Sequence, residues 1–321
     1  MAKTAIADVL VPEVFIPYVV NRTAEKSAFW QSGIVGTPDV AIGANLTAGG
    51  NTVNMPFWND LSGNDEVLSD ASSLSVDKIT AGKDIAVVHF RGKAWSVNDL
   101  AGQLSGDDPL AAIAGLVGDW WARVMQKTLL AELKGAFAAA SMSGNVADIH
   151  ATSSVTDANK ISAASFIDAS QVLGDARDNI TAVAMHSAVE TALLKKDLIE
   201  TIRDSEGRFV MKTFLGRRVI VDDGLPFDST TSTATTYLFG QGAFGFAEGG
   251  TLNPLEYDRD ILAGDTVFTN RRAFVLHPRG IKWKGTAAGA SPTKTELETG
   301  TNWERVYENK QIRMVQFIHN V

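Results

Sequence analysis

Residues 108–140 read DPLAAIAGLVGDWWARVMQKTLLAELKGAFAAA, and the rest of the chain is arranged around them. The spacing predicts one long helix. Asp108 suits the N-cap, where a carboxylate accepts from the first free amides, and Pro109 suits the first helical position, where no N–H is missed. Leu110, Ile113, Val117, Trp121, Val124 and Thr128 recur at three- and four-residue steps and line one face. Asp119, Arg123, Gln126, Lys127 and Lys134 fall on another arc. A helix of about thirty residues spans roughly 45–50 Å, well beyond the mean globular helix. Inside it Gly115, Gly118 and Gly135 each cost about 1 kcal/mol relative to alanine, so packing by other elements has to hold it. That makes it a spine. Taken alone, the stretch fits the core helix of an enzyme equally well.

A chain of 321 residues can bury a sizeable core as one large domain or two ordinary ones. Its 45% hydrophobic and 21% charged residues are those of a folded globular protein. A formal net charge of −8 argues against a sequence-independent nucleic-acid binder, which needs clustered Lys and Arg. The absence of cysteine excludes disulfides, thiolate metal sites and thiol nucleophiles, and fits synthesis in a reducing compartment. MAKTAIADVLVPEVF lacks the apolar core of a signal peptide, and no apolar run approaches the roughly 20 residues of a membrane span. The expectation is a soluble protein with no obvious export route and no membrane partner.

Residues 1–50 look short of core, with a helix expected around residues 17–30 and an extended Gly/Pro/Thr-rich run from Val35 to Gly50. NTVNMPFW from Asn51 alternates with period two, as a strand does. Residues 59–82 are then polar and acidic, carrying Asp60, Asp65, Glu66, Asp70 and Asp77, before KDIAVVHFRGKAWSV returns as a second strand. Over twenty polar residues between two strands is long for a compact domain, and such loops are functional or ordered by a partner. The reading is a projecting two-stranded arm. Beyond the spine, residues 141–159 read as a linker or surface loop. SFIDASQVLGDAR and SAVETALLKKDLIETI (ending at Ile202) read as helices, and ITAVAMH and Val219–Val221 as strands. TTYLFGQGAFGFAEG reads as a strand pair, Thr266–Phe268 and Ala273–His277 as two further strands, and Ile312–Ile318 as a last one. Strands interleaved with helices indicate a mixed α/β or α+β layer.

Catalytic signatures are missing. Gly240-Gln241-Gly242-Ala243-Phe244-Gly245 matches G-x-G-x-x-G, but Gly249, Gly250 and Pro254 follow where a phosphate-facing helix would have to begin. A glycine-rich turn between strands explains it better. His186 and Glu190 stand four apart without the second histidine of a zinc helix, and His89, His150, His277 and His319 show no ligand spacing. Asp222 and Asp223 point to opposite faces of a strand and suit a turn. No serine elbow and no Walker-type loop is present. No catalytic, cofactor or metal residue is therefore predicted. Arg271, Arg272, Arg279, Lys282 and Lys284 form either a solvated face or a patch for acidic partners, such as the arm of another copy. Trp58, Trp95, Trp120, Trp121, Trp283 and Trp303 are many indoles for core duty alone, and tryptophan is enriched at interfaces.

The order of parts and several phrases resemble the major capsid proteins of tailed double-stranded DNA bacteriophages, the Hong Kong ninety-seven fold that encapsulins share. The phrases are VLVPEVFIPYV, FWQSGIV, NMPFWNDLSGNDEVLSD, ITAGKDIAVVHFRGKAWSVNDLAG, DPLAAIAGLVGDWWARVMQKTLLAEL, FVLHPRGIKW and NWERVYENKQIRMVQFIHN. They cover essentially the whole chain. The resemblance implies an α+β phage major capsid fold. Residues 1–50 would be an N-terminal arm and residues 51–97 the extended loop (E-loop), which in this family reaches across a neighbouring subunit. Residues 98–150 would be the peripheral domain with its spine helix, residues 151–250 an axial domain, residues 251–277 peripheral strands, and residues 278–321 the axial return and C-terminal segment.

It further implies a structural protein, not an enzyme, that assembles as pentamers and hexamers into an icosahedral head. The head would enclose DNA without sequence-specific binding, in a virion put together in the bacterial host cytoplasm. Expected partners are other copies of the chain, a portal, a decoration protein and a separate scaffolding protein, since no cleavable scaffolding segment is recognisable. Inter-subunit contacts are expected at Phe57, Trp58, Asp65, Glu66, Asp70, Lys78, Lys83, Arg271 and Arg272. Lys78 and Lys83 sit in the arm, but no carboxylate catalyst can be assigned, so no isopeptide cross-link is predicted. The rival readings are an encapsulin-like shell holding cargo enzymes and a soluble α/β enzyme.

Overall fold

The computed structural model describes residues 29, 32–36, 50–61, 63–68, 73–99, 109–251, 253–262 and 264–321. The expected helix at 17–30 (apart from Phe29), most of the extended run at 35–50, Asp70 and the Asp108 cap lie outside them.

The spine is helix α1, Pro109–Ala138, whose 30 residues span about 45 Å. Val117, Trp121, Met125, Leu129, Leu133 and Ala136 are its buried stripe. Ile113 and Val124, expected on that stripe, are half-buried and pack at its margin. Gly135 is where another element crosses. A Cβ there would lie 1.8 Å from the Leu297 carbonyl oxygen, in the short helix Lys294–Glu298 that packs on the spine.

The spine lies on a sheet built from β1 (Thr52–Trp58) and β2 (Ala81–Asn98), joined further along the chain by later strands. A second sheet begins with β3 (Val146–Asp148), β4 (Ile180–Met185), β5 (Ile199–Arg203), β6 (Phe209–Phe214), β7 (Arg217–Val221), β8 (Phe227–Asp228) and β9 (Thr233–Gly240). The chain then returns to the first sheet through β10 (Phe244–Gly249), β11 (Leu255–Asp260) and β12 (Asp265–Pro278). The strands β13 (Ile281–Trp283) and β14 (Trp303–Arg305) form a ribbon, and β15 (Met314–Asn320) re-enters the second sheet. The first sheet has the order β1-β2-β12-β10, with β11 also on β12; the second has β3-β15-β9-β4-β7-β6-β5, with β8 on β9.

Alternation divides the core. On β9, Tyr237 and Phe239 face the spine's core, while Ala234 and Leu238 face a second core with Phe166, Leu173, Val189 and Leu193. The helices α2 (Ala163–Ser170) and α3 (Ser187–Lys195) cover that second face, and α4 is the Lys294–Glu298 helix on the spine. The first sheet buries Phe268, Phe274 and Leu276 against the spine, and Val53, Ala86, Val88, Ala247 and Val275 on its other side.

Several expectations need correction. The helix read to Ile202 ends at Lys195, because Asp197 takes φ 55° and Ile199 is claimed by pairing with Phe214. The helix at 165–177 stops at Ser170 and continues as 3-10 turns broken at Gly174, φ 58°. The linker at 141–159 contains a 3-10 segment with buried Met142, and strand β3. Thr266–Phe268 and Ala273–His277 belong to one unbroken strand. TTYLFGQGAFGFAEG does hold two strands, but β9 and β10 lie in different sheets. The glycine-rich turn is therefore a crossover: Gly242 takes φ 64°, and a Cβ on Gly240 would sit 2.8 Å from the Asn179 carbonyl. The described fragment of the N-terminal region plugs this crossover. Phe29, Ile34 and Val35 are buried there, and Phe244 N donates to the Ile34 carbonyl at 3.1 Å.

Candidate functional site

The arm starts from a regular ladder. β1 and β2 pair antiparallel from Thr52↔Val87 to Trp58↔Ala81, and Asn59 N still donates to the Thr80 carbonyl at 2.9 Å. Phe57 closes the root: its ring meets Tyr307 edge-on at 4.8 Å, and only a glycine fits opposite, since a Cβ on Gly82 would lie 2.5 Å from Phe57 Cζ. Trp58, on the other face of the strand, is 70% exposed. Beyond it, every described residue as far as Thr80 is exposed. Leu61, Val67, Leu68, Leu74, Val76 and Ile79 are among them, Val67 at 94% and Val76 at 96%. Single exposed apolar residues are ordinary, but a run of this kind on one projection marks an interaction surface. Glu66 clasps the two limbs by accepting from the amide and hydroxyl of Ser75, and these hydrogen bonds hold its carboxyl below the usual range.

Of the expected contact residues, Trp58, Asp65, Glu66, Lys78 and Lys83 stand on this exposed arm and its base. Asp70 lies outside the described residues, and Phe57 is half-buried at the root. Arg271 and Arg272 are elsewhere and are engaged within the subunit. Arg271 pairs with Glu256 and donates to the Asn253 carbonyl at 3.2 Å. Arg272 is only 7% exposed; its guanidinium lies 5.1 Å from the Trp121 ring and 3.6 Å from Glu248. Arg272 is thus corrected from a surface contact to a core cation under the spine. Adjacent strand residues face opposite sides, so two neighbouring arginines could not share one role.

The buried titratable groups were not singled out by sequence spacing. His89 Nε2 lies 2.8 Å from Glu132 Oε1, both fully buried. Burial pushes the imidazole down to about 3, with Arg91 adding repulsion, and burial raises the Glu132 carboxyl well above its usual range, with Arg91 opposing in part. Neutral acid donating to neutral imidazole is the state that follows. On the opposite face of the sheet Asp84 Oδ1 lies 3.0 Å from His277 Nε2, and Gly280 N donates to Asp84 Oδ2 at 3.0 Å. Burial raises the Asp84 carboxyl, but the charge and hydrogen bond of His277 and the Gly280 and Ile85 amides outweigh it, leaving it lowered. Asp84 shares an inward face with Ala86 and Val88, so an acid in an apolar alternation was the available signal.

A cleft of about 460 Å³ opens beside this pair, lined by Asp84, His277, Arg279, Tyr307, Lys310 and Arg313 among others. It does not assemble a reaction centre. Asp84 is taken by His277, and Arg313 donates to the Gln241 carbonyl at 2.9 Å. The hydrogen bond and charge of Asp175 hold the Lys310 ammonium above its usual value, the wrong direction for a nucleophile. Among the described residues no cluster of His, Asp and Glu could hold a metal ion, and no helix is long and apolar enough to cross a membrane. Two further apolar tips are exposed: Ile261 and Leu262 in the β11–β12 turn, and Ile202, Phe209 and Val210 on the β5–β6 hairpin. The dipeptide Ile261-Leu262, one residue before Gly264-Asp265, was the missed signal for the first.

Comparison with known proteins adds an independent line. The family model described as Gp13-like, major capsid protein 13-like, matches residues 44–313. The major capsid protein of Bacillus phage SPP1 is 48% identical over 326 residues, covering 100% of this chain and 99% of that protein. Among solved structures, the capsid of Ralstonia phage GP4 matches with a TM-score of 0.60 at 8% identity, covering 92% of each chain. The cyanophage Pam1 capsid asymmetric unit matches at 0.59 and 10% identity, covering 92% of this chain and 93% of that one. At such identities these structures speak for the fold.

Proposed function

The chain belongs to the Gp13-like family of major capsid proteins, and from that premise we propose how its surfaces build the shell. It is the structural capsid protein of a tailed phage with the Hong Kong ninety-seven type of fold, a component of a multimeric shell in the virion and not an enzyme. In our reading the copies close as pentamers and hexamers into an icosahedral head. The arm of each copy lies across its neighbour, and the β5–β6 hairpin points toward the capsomer centre. DNA is enclosed without base readout, which the net charge of −8 permits. Assembly in the host cytoplasm with a separate scaffold, a portal and a decoration protein completes the proposal.

One observation carries it: the arm exposes Trp58, Leu61, Val67, Leu68, Leu74, Val76 and Ile79 while touching little of its own subunit. Burying those aliphatic side chains would contribute on the order of 10 kcal/mol gross per contact, before the cost of ordering the arm. Repetition in a closed symmetric shell multiplies a modest pairwise affinity. The test is to replace residues 59–80 by an Asn-Gly turn, which suits the Trp58↔Ala81 pair that would then close the hairpin. The subunit should keep its circular dichroism and thermal transition yet form no closed particles by electron microscopy. Normal particles from this variant would refute the arm assignment.

A further inference from the structure

The cleft of about 460 Å³ beside Asp84 and His277 has the volume of a small-molecule site and a strongly basic wall. Arg279, Lys310 and Arg313 line it against Asp84, its one carboxylate among the described residues. The three cations come from separate places. Arg279 follows the last residue of β12, Lys310 belongs to the 3-10 turn Asn309–Gln311, and Arg313 immediately precedes β15. The two arginines meet at the glycine-rich crossover. A Cβ on Gly36 would lie 3.7 Å from an Arg279 guanidinium nitrogen and 3.9 Å from Gly242 Cα, and one on Gly242 would lie 4.0 Å from an Arg313 guanidinium nitrogen. Both guanidinium groups are thus within reach of Gly242.

The one carboxylate is already committed, since Asp84 is held by His277 and by the Gly280 amide, each at 3.0 Å. Arg313 donates to the Gln241 carbonyl at 2.9 Å, a neutral partner that leaves its charge in place. Lys310 pairs with Asp175 at 3.0 Å, but that carboxylate is 82% exposed, and a pair so placed is weak. Neutral donors complete the lining. Burial and then the Asp84 charge raise the Tyr307 hydroxyl above its usual range while Arg279 opposes them, so the hydroxyl is within range of both. Asn179 and Gln311 add side-chain amides. His277 is buried on the same wall, and its Nδ1 has no hydrogen-bond partner among the described residues.

We propose that this cleft binds a phosphate group, with Arg279, Lys310 and Arg313 as its cationic ligands and Tyr307, Asn179 and Gln311 as donors to its remaining oxygens. A phosphate offers more acceptor oxygens than a carboxylate, which suits a wall of two guanidinium forks, an ammonium, a hydroxyl and two amides. Asp175 keeps Lys310 charged, which serves electrostatic binding for the same reason that it disfavours nucleophilic attack. Arg279 leaves the first sheet and Arg313 enters the second, so a phosphate held by both ties the two sheets together at the crossover. A ligand bound in this way stabilises the folded subunit by mass action. The Gly240–Gly245 motif then lies at an anion site without being a dinucleotide fingerprint. Two sources carry the same chemistry, the backbone of duplex DNA and a free phosphate. The site stands apart from the shell reading, and only the DNA source rests on it.

The test is isothermal titration calorimetry on full-length unassembled subunits, with thermal unfolding alongside. Inorganic phosphate should bind, and should raise the unfolding midpoint as its concentration rises. Lys310→Gln and Arg279→Gln should each weaken phosphate about tenfold. Asp175→Asn should tighten it about threefold, because the released ammonium keeps its charge, an effect that a merely structural ion pair would not produce. Lys134→Gln, which removes a cation that does not line the cleft, should leave the affinity unchanged. Should Arg279→Gln fail to fold, Lys310→Gln and Asp175→Asn carry the test, since both side chains are more than half exposed. A short DNA duplex that competes with phosphate, and weakens in the same variants, would assign the site to the DNA backbone; phosphate binding without such competition would assign it to a free phosphate. No phosphate binding, or an affinity that these substitutions leave unchanged, would overturn the proposal. So would a poly-glutamate peptide that binds through Lys310 where phosphate does not, which would give the cleft to an acidic protein partner.

Discussion

Beneath the spine helix, Glu132 meets His89, Arg272 meets Glu248 and Trp121, and Trp121 donates to Asn270 at 2.6 Å. In the arm, Val67, Leu68 and Val76 have only solvent beside them, and Asp65 pairs with no cation among the described residues. Both regions mix charge with large apolar side chains, but one satisfies them within the chain and the other leaves them for a neighbour. Substitutions under the spine should therefore act on folding, and substitutions in the arm on assembly alone.

The largest effect should come from Gly135→Val. Its Cβ would meet backbone at 1.8 Å, and Trp303 Nε1, which donates to that same Leu297 carbonyl at 2.7 Å, would be displaced with it. We expect a loss of about 4 kcal/mol or more, seen as absence of cooperative unfolding in urea. Trp121→Ala should cost about 3–5 kcal/mol in the same measurement, since it leaves a cavity and removes the ring from Arg272 and the donor from Asn270.

Glu132→Gln should show its effect as a pH dependence. The Glu132 carboxyl is raised in the folded state, so the stability its protonation brings is present below 4.5 and lost as pH rises toward the folded value. Gln keeps a donor for His89 without that loss. The stability of the variant relative to the unaltered protein should therefore grow by up to about 1.4 kcal/mol per pH unit above pH 4.5. A difference independent of pH would contradict the neutral-acid assignment. His89, lowered to about 3, acts in the other direction: its contribution is present above 6.5 and lost as pH falls toward 3, in both proteins.

The smallest effect on stability should come from Val67→Ser with Val76→Ser. Folding stability should stay within about 0.5 kcal/mol, because neither side chain is buried in the subunit. The concentration needed for shells should nonetheless rise, which separates the arm's role from the spine's.

Much of this was legible in the sequence because the strongest periodicities are local. The spine, β1, β2 and the polar excursion between them follow from spacing alone, and Pro109 marks the first described residue of the helix. What was not legible depended on contacts distant in the chain. Leu194, Leu198 and Ile202 stand at helical steps of four, but Ile199 is decided by its partner Phe214. Nothing local says that Gly240–Gly245 changes sheets, since that follows from Phe244 pairing with Pro278 and not with β9. The fate of Arg272 was hidden for the same reason. The residues before it, Thr269, Asn270 and Arg271, are polar, and its partners Trp121 and Glu248 lie on other elements. Gly135 shows the converse, a residue that looks costly in a helix and is required by the crossing of α4.

Hydrogen–deuterium exchange on unassembled subunits and on closed shells tests the central claim most directly. The amides of residues 59–80 should exchange freely in the subunit and become protected by at least about tenfold in the shell, with the β2–β12 ladder unchanged between the two. Equal exchange of the arm in both states would contradict the account, because an arm that stays solvated in the finished shell cannot be what joins one copy to the next.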